Sequence, residues 1–268
     1  MKRILCCFHM LADPELLTQE EWIKGCETGH VDTSYIKKSL NSYDESALEL
    51  ACRCRDNSEE ECELSALIIG DKVGDNVLNT LAALGFTRLV RIDANTDREE
   101  LSSEEIIGLL LAWLRMQEPF DVIVTGIKSG DGNQGKLPIA VAEEMGMRCI
   151  THVTEFKARG DEYLEVDWDT DSSHCKANME CPLVLAVGTV ASSYLRVPTL
   201  ADRMKTKGKE TEIINASELA CQVNEVTRPR LISMTAVDET RETMAIDGDD
   251  ANYAAEQIAS YYGKWKEA

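Results

Sequence analysis

The chain has no apolar stretch approaching the ~20 residues that a membrane-spanning helix requires. Its opening segment, MKRILCCFHMLAD, is basic and then briefly apolar, and Asp13-Pro14 ends the run. It reads as a first buried strand rather than a secretory signal. Positive charge is also scarce. Over 268 residues, 28 Lys and Arg stand against 48 Asp and Glu, a formal charge of −20. That balance argues against nucleic-acid binding and against attachment to an anionic membrane, since both attract Lys and Arg. The ten cysteines contain no C-x-x-C. Cys6-Cys7 and Cys52-x-Cys54 lack zinc spacing, and the set reads as reduced thiols of a cytoplasmic protein. The four histidines, His9, His30, His152 and His174, show no paired ligand spacing. Asp167, Asp169 and Asp171 alternate, which fits a solvated strand face better than a cation site. No P-loop, no G-x-G-x-x-G after the first strand and no G-x-S-x-G occurs, so no catalytic constellation can be assembled.

What is present is alternation. The stretch FDVIVTGIKSGDGNQGKLPIAVAEEMG, residues 120–146, predicts a buried strand over 122–124 and a loop over 126–136 with four glycines. A helix with Pro138 in its first turn follows, and Gly146 stops it. Such a loop feeding a helix N-terminus favours an anion, through free N–H groups and the helix dipole. Further strands are expected at 4–8, 64–69 and 88–92. Helices are expected behind Ser42/Glu45 and Ser102/Glu105 capping boxes and around 77–82. The fold class is therefore α/β, a doubly wound and mostly parallel sheet, with ligands outside the carboxyl ends of its strands. Those ends are residues 7–10, 69–71 and the glycine loop. Beyond 146 the pattern predicts a hairpin (149–156 and 163–168, turning at Arg159-Gly160-Asp161) and a strand over 183–187. It also predicts a short helix over 198–205, a weak strand at 212–214, a possible helix at 217–221 and a last helix over 251–264. This divides the chain into an α/β nucleotide-binding domain, 1–205, and a C-terminal arm, 206–268.

Four segments carry a family resemblance: RILCCFHM, the Asn41-Ser42-Tyr43-Asp44 turn with Ser46-Ala47-Leu48-Glu49, FDVIVTG with its loop and VAEEMG, and Tyr194 through Lys209. Together the chain resembles the small (β) subunit of electron transfer flavoproteins, as a divergent bacterial member. The resemblance implies an adenine-nucleotide-binding fold of the kind shared with universal stress proteins. It implies an electron carrier subunit, not an enzyme, paired with a larger α subunit whose FAD it helps to hold. It implies AMP, or a second FAD in an electron-bifurcating form, on Cys7, Asn41, Asp44, Ile69, Gly126, Ser129, Gly130, Asp131, Gly132, Asn133, Gln134, Gly135, Lys136 and Leu137. An acyl-CoA-type or other flavin dehydrogenase would dock at Leu200, Arg203 and Lys205, and the arm would pack on the α subunit. The loop departs from the family at Asn133, Gln134, Gly135 and Lys136, where the family ends Asp-Thr-x-Gln; this leaves AMP and FAD both open. The alternative is a stand-alone universal-stress-type nucleotide-binding regulator without flavin. An ATP-pyrophosphatase-type ligase ranks lower, because its phosphate loop should follow the first strand, where residues 6–13 hold no glycine.

Overall fold

The computed structural model describes residues 1–94, 101–129, 134–188, 194–219, 233–235, 244–246 and 248–267. In chain order the strands are β1 (Lys2–Phe8), β2 (Met10–Ala12), β3 (Lys38–Leu40), β4 (Cys62–Gly70), β5 (Arg88–Asp93), β6 (Val122–Gly126), β7 (Arg148–Arg159), β8 (Tyr163–Asp169), β9 (His174–Glu180), β10 (Leu183–Val187) and β11 (Glu212–Asn215). The helices are α1 (Gln19–Thr28), α2 (Ser42–Asn57), α3 (Asp75–Ala83), α4 (Ser103–Leu114), α5 (Lys136–Met145), α6 (Leu200–Lys205) and α7 (Ala251–Glu267).

Nine strands form one sheet in the order β11-β5-β4-β1-β6-β10-β7-β8-β9. The seven from β11 to β7 run parallel, and β8 and β9 turn back antiparallel. β2 and β3 pair separately. The apolar runs that predicted buried strands are buried on both faces. One core holds Ile4, Leu64, Val122 and Leu183 with the apolar face of α2; the other holds Leu5, Leu67, Ile123 and Val184 with α4 and α5. Central strands covered twice read as continuous apolar runs, which is why they were visible in the sequence. None of the described helices is long and apolar enough to cross a membrane.

Local signals account for most helix ends. Ser102 and Glu105 form the expected capping box of α4, and Gly146 caps α5 in the left-handed region, φ 65°. The box expected at Ser42 does not form. Asn41 is the N-cap of α2, and Glu45 gives its carboxylate to the backbone N–H of Leu195 instead. The α/β unit also runs past residue 205. β11 adds to the edge of β5 in parallel register, and Leu219, 5% exposed, joins the second core. A four-residue edge strand, mostly exposed, carries too few apolar positions to look like part of a sheet. The hairpin at 160 is present, and β9 extends it by a strand absent from the reading above. Asp167, partly buried, and Asp169, exposed, lie on β8, with Lys176 Nζ 3.3 Å from Asp167 and His174 Nδ1 2.7 Å from Asp169, and Asp171 is exposed in the bend that follows. Among the described residues no group of His, Cys, Asp and Glu is arranged to hold a metal.

Candidate functional site

The carboxyl ends of β1, β4 and β6 open into a cleft of about 410 Å³. β1 is the middle of the parallel array: the chain builds outward through β4 and β5 on one side and through β6 on the other. The cleft thus lies where the strand order reverses, the place an α/β sheet offers a ligand. Its inner wall is apolar, from Cys7, Leu67, Ile69, Leu101, Ile106 and Leu110. Its mouth is polar, from Ser129, Gln134 and Lys136 ahead of α5.

Asp44 assembles this arrangement. Its carboxylate is buried and joins three segments. Gly126 N donates to Oδ1 at 2.8 Å, His9 N donates to Oδ2 at 3.1 Å, and His9 Nδ1 lies 2.6 Å from Oδ2. Hydrogen bonds to an ionised acceptor are the stronger kind, and here they offset the desolvation of a buried carboxylate. Asn41, fully buried, does related work. Its N–H donates to the His9 carbonyl, and its Nδ2 donates to the Lys128 carbonyl at 3.0 Å. Lys128 places its ammonium 5.6 Å from the centre of the Tyr43 ring. Ser129 N donates to the Gln134 carbonyl at 2.8 Å and so closes the base of the glycine loop.

Of the expected contacts, Cys7, Asp44, Ile69, Gly126, Ser129, Gln134, Lys136 and Leu137 line the cleft. Asn41 and Gly135 are not among its lining residues; Asn41 holds the loop from behind, and Gly135 is the N-cap of α5. Gly130, Asp131, Gly132 and Asn133 lie outside the described residues. Lys136 is held in an ion pair. Its ammonium is 2.8 Å from Glu104 Oε1, and this hydrogen bond holds the Glu104 carboxyl below its ordinary value. Cys7 is a neutral thiol: burial, then the nearby Asp44 charge, push it well up. Leu200, Arg203 and Lys205 are elsewhere, exposed on α6.

The α4 side of the cleft, Leu101, Ser102, Ser103, Glu104, Ile106 and Leu110, was not among the expected contacts. The Ser102/Glu105 box marked that helix start, and a helix that follows β5 begins near the carboxyl ends of the sheet; the two facts together were the available signal. His9 fell within a strand end singled out above, but its Asp44 partner lies 35 residues away.

A parallel α/β sheet with a bipolar cleft at its switch point defines the class as a doubly wound α/β protein with a cleft of ligand size. Residues 28–219 match the model of the electron transfer flavoprotein domain, and the chain belongs to that family as a divergent small-subunit member. YgcR of Escherichia coli (strain K12), named provisionally as an electron transfer flavoprotein subunit, is 26% identical over 260 residues, 97% of this chain and 96% of its own. The electron transfer flavoprotein subunit beta of Bacillus subtilis (strain 168) is 28% identical over 193 residues, 72% of this chain and 73% of its own. That of Methylophilus methylotrophus is 23% identical over 234 residues, 85% and 87% of the two chains. The family match sets aside the universal-stress-type regulator and the ligase, and the relatives are named as electron transfer flavoprotein subunits.

Proposed function

We propose that this chain is the small subunit of a heterodimeric electron transfer flavoprotein. It holds AMP, or a second FAD in a bifurcating form, in the cleft at β1, β4 and β6. It helps to hold the FAD of a larger α subunit and docks a flavin dehydrogenase, of the acyl-CoA type or another, in the cytoplasm. The observation that carries the reading is the bipolar cleft. Its apolar wall at Leu67, Ile69 and Leu110 suits a flat base, and its mouth at Ser129, Gln134 and the start of α5 suits a phosphate. About 410 Å³ lies within the range of small-molecule sites. Lys136 would exchange Glu104 for the phosphate, and the backbone N–H groups before α5 would supply the remaining donors. Redox chemistry is supplied by the flavin when bound, while this chain's residues bind, orient and exclude water.

Two exposed surfaces support the partner assignments. Tyr194, Val197, Leu200 and Met204 are each at least 70% exposed, an apolar patch around α6 with Arg203 and Lys205 beside it. The amphipathic α7, within the arm expected over 206–268, presents Tyr253, Ile258, Tyr261 and Tyr262 to solvent, and would pack on the α subunit.

Co-expression with the larger subunit tests the reading. The purified complex is denatured and its nucleotides identified. One FAD with one AMP, or two FADs, is the expected result and settles which form this is. A colourless chain that retains neither nucleotide nor larger subunit would end the proposal.

A further inference from the structure

Residues 194–199, which lead into α6, form no helix or strand. Even so, Tyr194 and Val197 are 82% exposed and Leu200 75%. An apolar face held out in water on an irregular segment needs an anchor, or it folds back onto the nearest apolar surface. The anchor is a row of carboxylates on α2. Leu195 N donates to Glu45 Oε1 at 3.2 Å, and Arg196 N donates to Glu49 Oε2 at 3.1 Å. The Arg196 guanidinium then takes Glu49 with two nitrogens, Nη2 to Oε1 at 2.8 Å and Nε to Oε2 at 3.1 Å, while Nη1 donates to Asp56. Glu49 is 5% exposed and also accepts from Arg53 Nε at 3.3 Å. The Leu195 side chain packs against the first core. The segment is therefore fixed from within by Leu195, the buried Pro198 and a ladder of charged hydrogen bonds, while Tyr194 and Val197 stay exposed.

We infer that Arg196 is a positioning residue for partner docking: by bridging Glu49 and Asp56 it holds residues 194–199 on α2 and so presents Leu200. This rests on the docking role proposed above for Leu200. The chemistry explains the residue type. A planar guanidinium serves two carboxylates at once with several N–H groups in fixed directions, whereas a lysine ammonium is a single point charge on a flexible stem. The clamp never touches the docked dehydrogenase; it sets how often the free protein displays the competent surface. Its loss therefore raises KM for the dehydrogenase and leaves kcat in place.

The test compares Arg196→Gln, Arg196→Lys and Leu200→Ala in the complex with the larger subunit, reduced by the flavin dehydrogenase that reduces the unaltered complex. For Arg196→Gln, KM for the dehydrogenase is expected to rise about tenfold, with kcat within about twofold and bound nucleotide unchanged. Hydrogen exchange over 194–205 should accelerate while that over 41–46 does not, and Arg196→Lys should recover part of the loss. If Leu200→Ala raises KM and Arg196→Gln does not, the clamp is idle and the inference is wrong while the docking surface stands. If neither variant changes KM, the docking reading fails and the clamp fails with it. Should Arg196→Gln not assemble, Asp56→Ala, altered at an exposed position, takes its place. A smaller rise in KM supports the clamp, and an unchanged KM with unchanged exchange over 194–205 overturns it.

Discussion

Asp44 spends its whole carboxylate on neighbours. With Oδ1 on the Gly126 N–H and Oδ2 on His9, it draws the first turn of α2 against the ends of β1 and β6. Gly126 has to be a glycine as a result. A Cβ there would lie 2.5 Å from Asp44 Oδ1, 2.7 Å from Tyr43 Cβ and 2.9 Å from Asp44 N. Two of these are atoms at or next to the α2 backbone, which move only if the helix moves. Gly126→Ala is expected to cost about 1–3 kcal/mol, the usual penalty of overpacking. A lowered urea midpoint with an unchanged slope would show it, and a midpoint equal to wild type would mean that α2 yields freely. Glu49 makes a second prediction, on pH. Burial pushes its carboxyl up, but the hydrogen bonds and charge of Arg196, aided by Arg53, outweigh burial and hold it below its ordinary value. A carboxylate whose pKa is depressed on folding stabilises the protein above its unfolded value of about 4.3, and that contribution is lost as pH falls through the lower folded value. Wild type should exceed Glu49→Gln in stability near neutral pH, and the gap should close as pH falls from about 5 through the lowered folded value. Denaturant titrations at stepped pH measure the gap; a constant gap would contradict the assignment.

At the scale of elements, the edge strand β11 decides where the α/β unit ends. Cutting the chain after residue 205 removes the partner of β5, the Arg88–Glu212 ion pair (Nη2 to Oε2, 2.8 Å) and Leu219 from the second core. Burying a leucine is worth about 1.5–3 kcal/mol, and the cut also exposes the backbone edge of a central-type strand. A chain ending at 205 should be less stable and prone to association, while one ending at 219 should keep the stability of the unit. Size-exclusion chromatography and urea unfolding of the two chains separate these outcomes, and equal behaviour would place the boundary at 205 after all. The same comparison shows what the sequence could reveal. β10 is apolar along its length, and β1, β4 and β6 carry apolar runs, because both faces are covered, and helix starts such as Ser102 announce themselves locally. β11 owes its existence to pairing with a strand far along the chain, at Val90, and β9, though it pairs with the neighbouring β8, is half exposed along its length; both carry little signal alone. The cleft divides likewise. Its glycine loop and strand ends are local features; the Asp44–His9 pair, the Glu104–Lys136 bridge and the α4 wall arise only when segments 30 or so residues apart converge.

For the whole molecule the dominant quantity is charge. At −20 the protein repels an acidic partner almost everywhere, and the exposed Arg203, Lys205 and Lys207 around α6 form a local exception. Lys209 does not belong with them, because its ammonium donates to the Phe86 carbonyl and burial pulls its pKa down. A small basic patch in a negative field cannot add much affinity, since exposed charges are worth little once solvated. It can orient an approaching acidic surface within the ~8–10 Å over which charges are felt at physiological salt. The help that this patch gives to docking at Leu200 should therefore be largest at low salt. Arg203→Gln with Lys205→Gln should lower the second-order rate constant for reduction of the complex by its dehydrogenase most at about 0.02 M salt, and the two proteins should converge as salt rises to about 0.2 M. Stopped-flow measurements across that range provide the check. Parallel slopes for the two proteins would assign the steering to charges other than those of α6.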